Sequence, residues 1–386
     1  MFPSFNIHST PLLFLVLQGL IFAFLLLGKY GKGKFKPHLI LAIILLITCW
    51  HRTTYTIGFM DWYDTFRNTK VNYYLIPLGL ALAPLLYLYV KSVTVSNFSF
   101  KRKHLYHFIP FFFYFIYRIV LVVYDANQPG FESTQNGVLM SDFHNKYIDA
   151  VYVILSTIQM VVYLTLTINT FVHYRKKVQQ FFSNTFNLEL NWLRNFLFVY
   201  TFLFVYSFGE TIINEFVTPL HWTQKWWYHL LSGLAIVYIG IKGYFTETEK
   251  LTDVSFNVFE PVKVTIPKLP SNNYSKDIEK IKEFFIAEKP YLNANLNLKQ
   301  LGGQLNYTPN QLSEIINNGF HKNFNDFVNE YRVNEVKAAL DAGQHNQKSL
   351  VGIAMDCGFN SKPTFNRVFK KLSGISPTQY IKSQLT

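Results

Sequence analysis

Three charged residues lie well inside long apolar stretches of this chain: Arg52, Arg118 and Glu210. His51 adjoins Arg52, and Asp149, Asn214 and Glu215 stand nearer the ends of such stretches. A charge in an apolar helix is costly and is usually kept for a task. Two tasks fit these residue types. Arg52 or Arg118 could receive an anionic or polar ligand, with His51 and Glu210 in the same set. Alternatively, an Arg–Glu ion pair could fix helix packing.

Catalytic chemistry finds no comparable footing. The chain has no His-Glu-x-x-His zinc motif, no phosphate loop and no Gly-x-Ser-x-Gly elbow. His104 and His107 flank a basic stretch without carboxylate partners. Lys242 falls at the end of the last apolar run, where a retinal Schiff base would need a lysine near its middle. The two cysteines, Cys49 and Cys357, do not make a disulfide framework. The expectation is a non-enzyme with no catalytic residues, metal site or cofactor.

The elements that must position these residues follow from composition. Half of the 386 residues are hydrophobic, 18% are aromatic and 15% are charged. Soluble domains carry about 25% charged residues. The deficit is concentrated in residues 1–245, which contain seven apolar runs near 10–28, 38–59, 71–92, 105–124, 147–171, 192–216 and 226–245. About 20 apolar residues cross a bilayer as a helix, and backbone groups cannot stay unpaired in lipid. The first run is expected to remain as a span, because no Lys or Arg precedes it and Lys29, Lys32, Lys34 and Lys36 follow it. Pro77, Pro84 and Pro110 fall where they could kink their helices.

Loop charge sets the orientation. Basic residues collect at Lys29–Lys36, at Lys91 and Lys101–Lys103, and at Arg175–Lys177, whereas Asp125–Asp142 has neither Lys nor Arg. The positive-inside rule then puts these basic loops in the cytoplasm, the N-terminus outside and the C-terminus inside. Trp62, Trp222, Trp226 and Trp227 fall at the expected outer boundary. Arg52, Arg118 and Glu210 lie roughly 20–28 Å from the inner boundary at 1.5 Å per residue, in the outer half. The expected location is the inner cell membrane.

Residues 246–273 are polar and hold Pro261, Pro267 and Pro270, which suggests a tether; Val262–Ile266 alternates as a short strand would. From Ser275, apolar residues recur at helical spacing. Leu298–Leu305, a break at Asn306–Thr308 and a second helix from Pro309 form a helix-turn-helix, with Thr308 as N-cap. The pattern recurs as Leu350–Asp356, a turn at Cys357–Asn360 and a helix over Lys362–Lys371 capped by Ser361. A long helix over Phe324–Leu340 separates the two units. The fold class is therefore all-α: a seven-transmembrane-helix bundle (1–245), a cytoplasmic linker (246–273) and an all-helical domain with two helix-turn-helix units (274–386).

The segment Phe324–Arg332, with Ile353-Ala354, Gly358-Phe359, Ser361-Lys362, Phe365, Phe369–Lys371, Gly374 and Ser376-Pro377, resembles the DNA-binding domain of the AraC family. The resemblance covers about residues 275–384. His321 departs from it, since related sequences often have Gly in that turn. The apolar half resembles multi-helix sensor regions fused to such domains in bacterial regulators by arrangement alone.

The resemblance implies two recognition helices entering successive major grooves about 34 Å apart. It makes Asn310, Gln311 and Glu314 of the first unit, and Lys362, Thr364, Asn366 and Arg367 of the second, candidates for base edges. Arg367 could equally grip phosphate. Ser361, Arg332, Lys370 and Lys371 complete the DNA-binding set, with Lys370 and Lys371 expected to hold the phosphate backbone and a solvated face as the alternative for them. The net charge of +13 suits nucleic acid or an anionic membrane, and Cys357–Thr386 carries five Lys or Arg and no acid. The expected partners are double-stranded DNA, the lipid bilayer, a small-molecule ligand of unknown identity and a second copy of the chain. The competing readings are a transporter or a membrane receptor with an appended regulatory domain, or helices that serve only as an anchor.

Overall fold

The computed structural model describes residues 2–66, 74, 78–95, 98–133, 136–185, 188–246 and 274–384. Its chain forms two compact units, one of Met1–Phe171 with Asn191–Phe259, the other of Val172–Leu190 with Glu260–Thr386. Regular structure among the described residues is helical, apart from one isolated antiparallel bridge between Phe182 and Asn297. The expected strand at Val262–Ile266 and the rest of the tether from residue 247 to 273 lie outside the described residues.

The first unit is built from α1 (Ser9–Gly33), α2 (Lys36–Gly58), α3 (Gly79–Thr94), α4 (Ile109–Ala126), α5 (Asp149–Phe181, whose end from Val172 belongs to the second unit), α6 (Asn191–Phe216) and α7 (Trp226–Phe245). A helix thus occupies each expected apolar run. Among the described residues, five helical segments are long and apolar enough to cross a membrane: Ser9–Gly33, Lys36–Gly58, Arg102–Ala126, Met140–Phe181 and Asn191–Asn214. α3 has 16 residues, about 24 Å at 1.5 Å each, against a hydrocarbon core of about 30 Å. Much of its expected N-terminal extension lies outside the described residues. α7 is long enough, but Trp226–His229 and Lys242–Tyr244 dilute its apolar stretch. Among the described residues, five candidate spans, against the seven expected, therefore meet the requirement by length and composition.

α1 packs against α2 and α7, and α2 against α3 and α7. Small residues allow the close approach: a Cβ on Gly243 would run into Leu41, and one on Gly19 into the thiol of Cys49. α4 turns Arg118 and Leu121 inward while exposing Phe113, Ile116, Val120 and Val123.

In the second unit the helices are α8 (Ser275–Glu288), α9 (Leu298–Leu305), α10 (Pro309–Gly319), α11 (Phe324–Asp341), α12 (Leu350–Asp356), α13 (Lys362–Ser373) and α14 (Pro377–Gln384). Side-chain caps define their starts. The Asn297 and Gln300 side chains and the Thr308 and Gln311 side chains close reciprocal capping boxes. Asn323, Ser349 and Ser361 cap α11, α12 and α13. One core gathers Leu301, Leu305, Leu312 and Ile316 around Phe285 and the first half of α11, through Phe324 and Phe327. The other gathers Ile353, Phe359, Phe365 and Phe369 around Val333, Val336 and Leu340 of its second half. α11 thereby belongs to both cores and fixes one helix-turn-helix relative to the other.

Candidate nucleic-acid interface

α13 divides cleanly. Phe365, Val368 and Phe369 are buried, whereas Lys362, Asn366, Arg367 and Lys370 are exposed. Residues 362, 366 and 370 follow at four-residue steps, so they form one stripe along the helix, with Arg367 beside it. None of these four side chains makes an intramolecular hydrogen bond or ion pair among the described residues. Lys371 is exposed but paired with Asp326 of α11 at 2.7 Å. Ser361 and Thr364 serve the helix itself. Ser361 Oγ accepts from the Thr364 amide at 3.3 Å and donates to Thr364 Oγ1 at 2.8 Å, and Thr364 is buried.

On α10, Asn310 is exposed near the N-terminus and lacks an intramolecular partner among the described residues. Gln311 is engaged in capping: its Oε1 accepts from the Thr308 amide at 3.0 Å and from its hydroxyl at 2.8 Å. Glu314 accepts from the Tyr274 hydroxyl at 3.0 Å, which orients its carboxylate. Helical spacing from Asn310 also reaches Ser313 and Asn317, which are half-buried and joined by a 3.3 Å hydrogen bond. The three- and seven-residue steps could have identified both.

The turns explain two further residues. Gly358 has φ +88°, and a Cβ there would strike the Tyr291 carbonyl and Arg332 Nε. His321 sits at φ +55°, a left-handed conformation that glycine adopts without strain.

Arg332, expected among the DNA contacts, is enclosed instead, at 1% exposure. Its Nε donates to the Tyr291 carbonyl and Nη2 to the Asn293 carbonyl, both at 2.8 Å. The remaining donors reach Asn329 Oδ1 at 3.3 Å and Ser183, at 3.1 Å to Oγ and 3.4 Å to the carbonyl. Burial lowers its pKa to about 10, which leaves it charged at neutral pH. It is an internal pin whose guanidinium does not reach the surface.

Ser183 went unrecognised from sequence. Asn325 donates to its carbonyl at 2.7 Å, its amide donates to the Leu296 carbonyl at 3.2 Å, and its hydroxyl donates to the same carbonyl at 2.7 Å. The surrounding segment is tied by Arg175–Glu189 at 2.9 Å and by Thr185 Oγ1 donating to Glu189 at 2.7 Å. No local pattern announces such a contact across more than 100 residues of chain.

In the first unit, the four expected ligand or ion-pair residues do not form one cluster. His51 Nε2 accepts from the Leu78 amide at 3.2 Å. Arg52 hydrogen-bonds His229 and lies 4.8 Å from the Tyr228 ring centre. Arg118 is buried, donating to the Tyr74 carbonyl at 3.0 Å and meeting His144 Nε2 at 2.6 Å. Among the described residues, no salt bridge joins either arginine to Glu210. No group of three His, Cys, Asp or Glu side chains suited to a metal occurs among them.

Two capped helix-turn-helix units sharing a connecting helix, with an exposed basic and amide stripe on the second helix of the latter unit, define a DNA-binding domain of the transcription-regulator type. Residues 301–383 match the family model described as a helix-turn-helix domain. The chain is also similar to the uncharacterized HTH-type transcriptional regulator YtdP of Bacillus subtilis (strain 168), with 31% identity over 87 residues. That match covers 22% of this chain and 11% of the relative. No solved structure matches.

Proposed function

We propose that this protein is a membrane-bound, sequence-specific transcription regulator that couples a signal at or across the membrane to promoter binding. The observation that carries the reading is the union, in one chain, of a helix-turn-helix domain and five helical segments suited to a bilayer. The large apolar side chains that α4, α5 and α6 leave exposed, such as Phe113, Ile154 and Phe202, support a lipid environment.

In this reading α10 and α13 enter successive major grooves. Asn310, Asn366 and Arg367 read base edges, while Lys362, Lys370 and Lys371 hold phosphates. Gln311, Ser361 and Thr364 position the helices, and Glu314 is steadied by Tyr274. α3 and α7 complete a seven-helix bundle, with the N-terminus outside and the DNA-binding domain in the cytoplasm, as the basic loops require. A homodimer would pair two bipartite sites.

The test is selection from a random DNA pool by the full-length chain in lipid nanodiscs. Enrichment of a bipartite motif, with half-sites one helical turn apart, is expected. Failure to enrich any sequence would overturn the reading and favour a transporter or receptor with an appended regulatory domain.

A further inference from the structure

A cavity of about 470 Å³ lies within the first unit, lined by α2, α3, α5, α6 and α7. That volume falls among small-molecule sites, which span about 300–1,000 Å³. Its polarity is graded along the helices. At one end stand Arg52 of α2, Thr211 of α6 and Tyr228 of α7; at the other stand Leu45, Phe196 and Ile239 of the same three helices.

The register between these helices follows from their contacts. Arg52 meets Tyr228 and His229, and the rings of Tyr206 and Tyr228 stack with centres 6.1 Å apart. Farther along, the Tyr238 hydroxyl donates to the Trp192 carbonyl at 3.3 Å, and Gly243 faces Leu41. The charged end and the apolar end are therefore separated along the helix axes. From Arg52 back to Ile44 the rise is about 12 Å at 1.5 Å per residue.

Arg52 is incompletely satisfied. One terminal nitrogen meets His229, but buried Nε has no hydrogen-bond partner, and among the described residues no carboxylate lies within ion-pair distance. Arg118 differs, with Nε and Nη1 already engaged. Arg52 is half-buried, and Glu210, the acid that acts on it electrostatically, stays beyond ion-pair distance. A partly desolvated cation without a direct partner is incompletely compensated, and a planar guanidinium fits a carboxylate through two parallel hydrogen bonds.

We propose that this cavity binds a single-chain carboxylate amphiphile of medium length, its carboxylate on Arg52 and its chain running past Leu45 toward Ile239. The assignment rests on reading the membrane half as a sensor and names the chemistry it senses. An acyl chain with an anionic head could also arrive as a bilayer phospholipid, but a cavity of this size suits one chain.

The test measures equilibrium binding of decanoate and decanol to the full-length protein in zwitterionic nanodiscs. No DNA is present, so failure here is separable from failure of the regulator reading. Saturable decanoate binding, at least about tenfold tighter than decanol, is expected from a charge-assisted pair. Arg52→Gln should bring decanoate affinity down to near that of decanol, with folding checked by an unchanged thermal melting profile of the ligand-free variant; Arg52→Lys should restore part of the preference. Equal affinities for the two head groups in the wild-type protein would overturn the proposal, whatever the variants do. So would full decanoate affinity in a folded Arg52→Gln variant. Loss of decanoate binding in phosphatidylglycerol nanodiscs would assign the site to a two-chain lipid and overturn the single-chain ligand.

Discussion

At the scale of residues, the proposal separates reading from gripping on α13. Arg367 and Lys370 are both exposed without intramolecular partners among the described residues, but their chemistry differs. An arginine that pairs with guanine contributes about 1–3 kcal/mol and specifies its position. Arg367→Ala should therefore weaken binding by that amount and relax one base of the motif. Lys370→Ala should weaken all sequences alike and flatten the salt dependence by about one counterion. Competition titrations with single-base variants at several salt concentrations distinguish the two. His321 offers a stability test: at φ +55°, His321→Gly should raise stability by about 1 kcal/mol, a shift of about 4 °C in thermal melting. An unchanged or lower melting temperature would show that the turn carries no strain. Glu335 adds a pH signature. Hydrogen bonding to Lys289 and then to Tyr291 holds its pKa below the usual carboxylate value, against the opposing effect of burial. Its contribution is therefore present above the unfolded carboxylate pKa and is lost as pH falls through the lower folded value. Glu335→Gln should reduce the acid sensitivity of the domain in denaturant melts below about pH 4.5.

At the scale of elements, the helix-turn-helix domain was legible because its signals are local. Thr308 before Pro309, Ser361 before Lys362-Pro363 and the apolar spacing on either side place α10 and α13 directly. The apolar runs were legible for the same reason, although runs of similar appearance gave helices of unequal fitness for a bilayer, because α3 is short and α7 is diluted by polar and aromatic residues. Tertiary partners were not legible. Arg332 belongs to a surface by residue type, yet carbonyls from Tyr291, Asn293 and Ser183 enclose it. The segment Val172–Leu190 lies far from the domain in sequence but shares its compact unit. A fragment of residues 274–386 lacks the Ser183 acceptors, so buried donors of Arg332 and Asn325 lose partners, at about 1–3 kcal/mol for an unsatisfied group. Amide hydrogen exchange in α11 should therefore be faster in that fragment than in the intact chain. Equal protection would show that the Ser183 contacts contribute nothing to the domain.

At the scale of the whole molecule, the proposal joins two kinds of surface in one chain. One unit exposes apolar side chains suited to lipid, and the other carries two helices suited to DNA grooves. On this proposal the basic loops face the cytoplasm. Reporter fusions after Gly33 and after Tyr174 should be active only with cytoplasmic reporters, and a fusion within residues 128–133 only with an exported one. The reverse pattern would place the DNA-binding domain on the wrong side of the membrane and end the regulator reading. The most direct test of the central claim is genome-wide crosslinking and immunoprecipitation of the full-length protein from the membrane fraction of its native cell. The account predicts discrete promoter peaks that share a bipartite motif and disappear when Arg367 and Lys370 are both replaced by alanine. Absence of peaks under every growth condition, or peaks unchanged in the double variant, would contradict it.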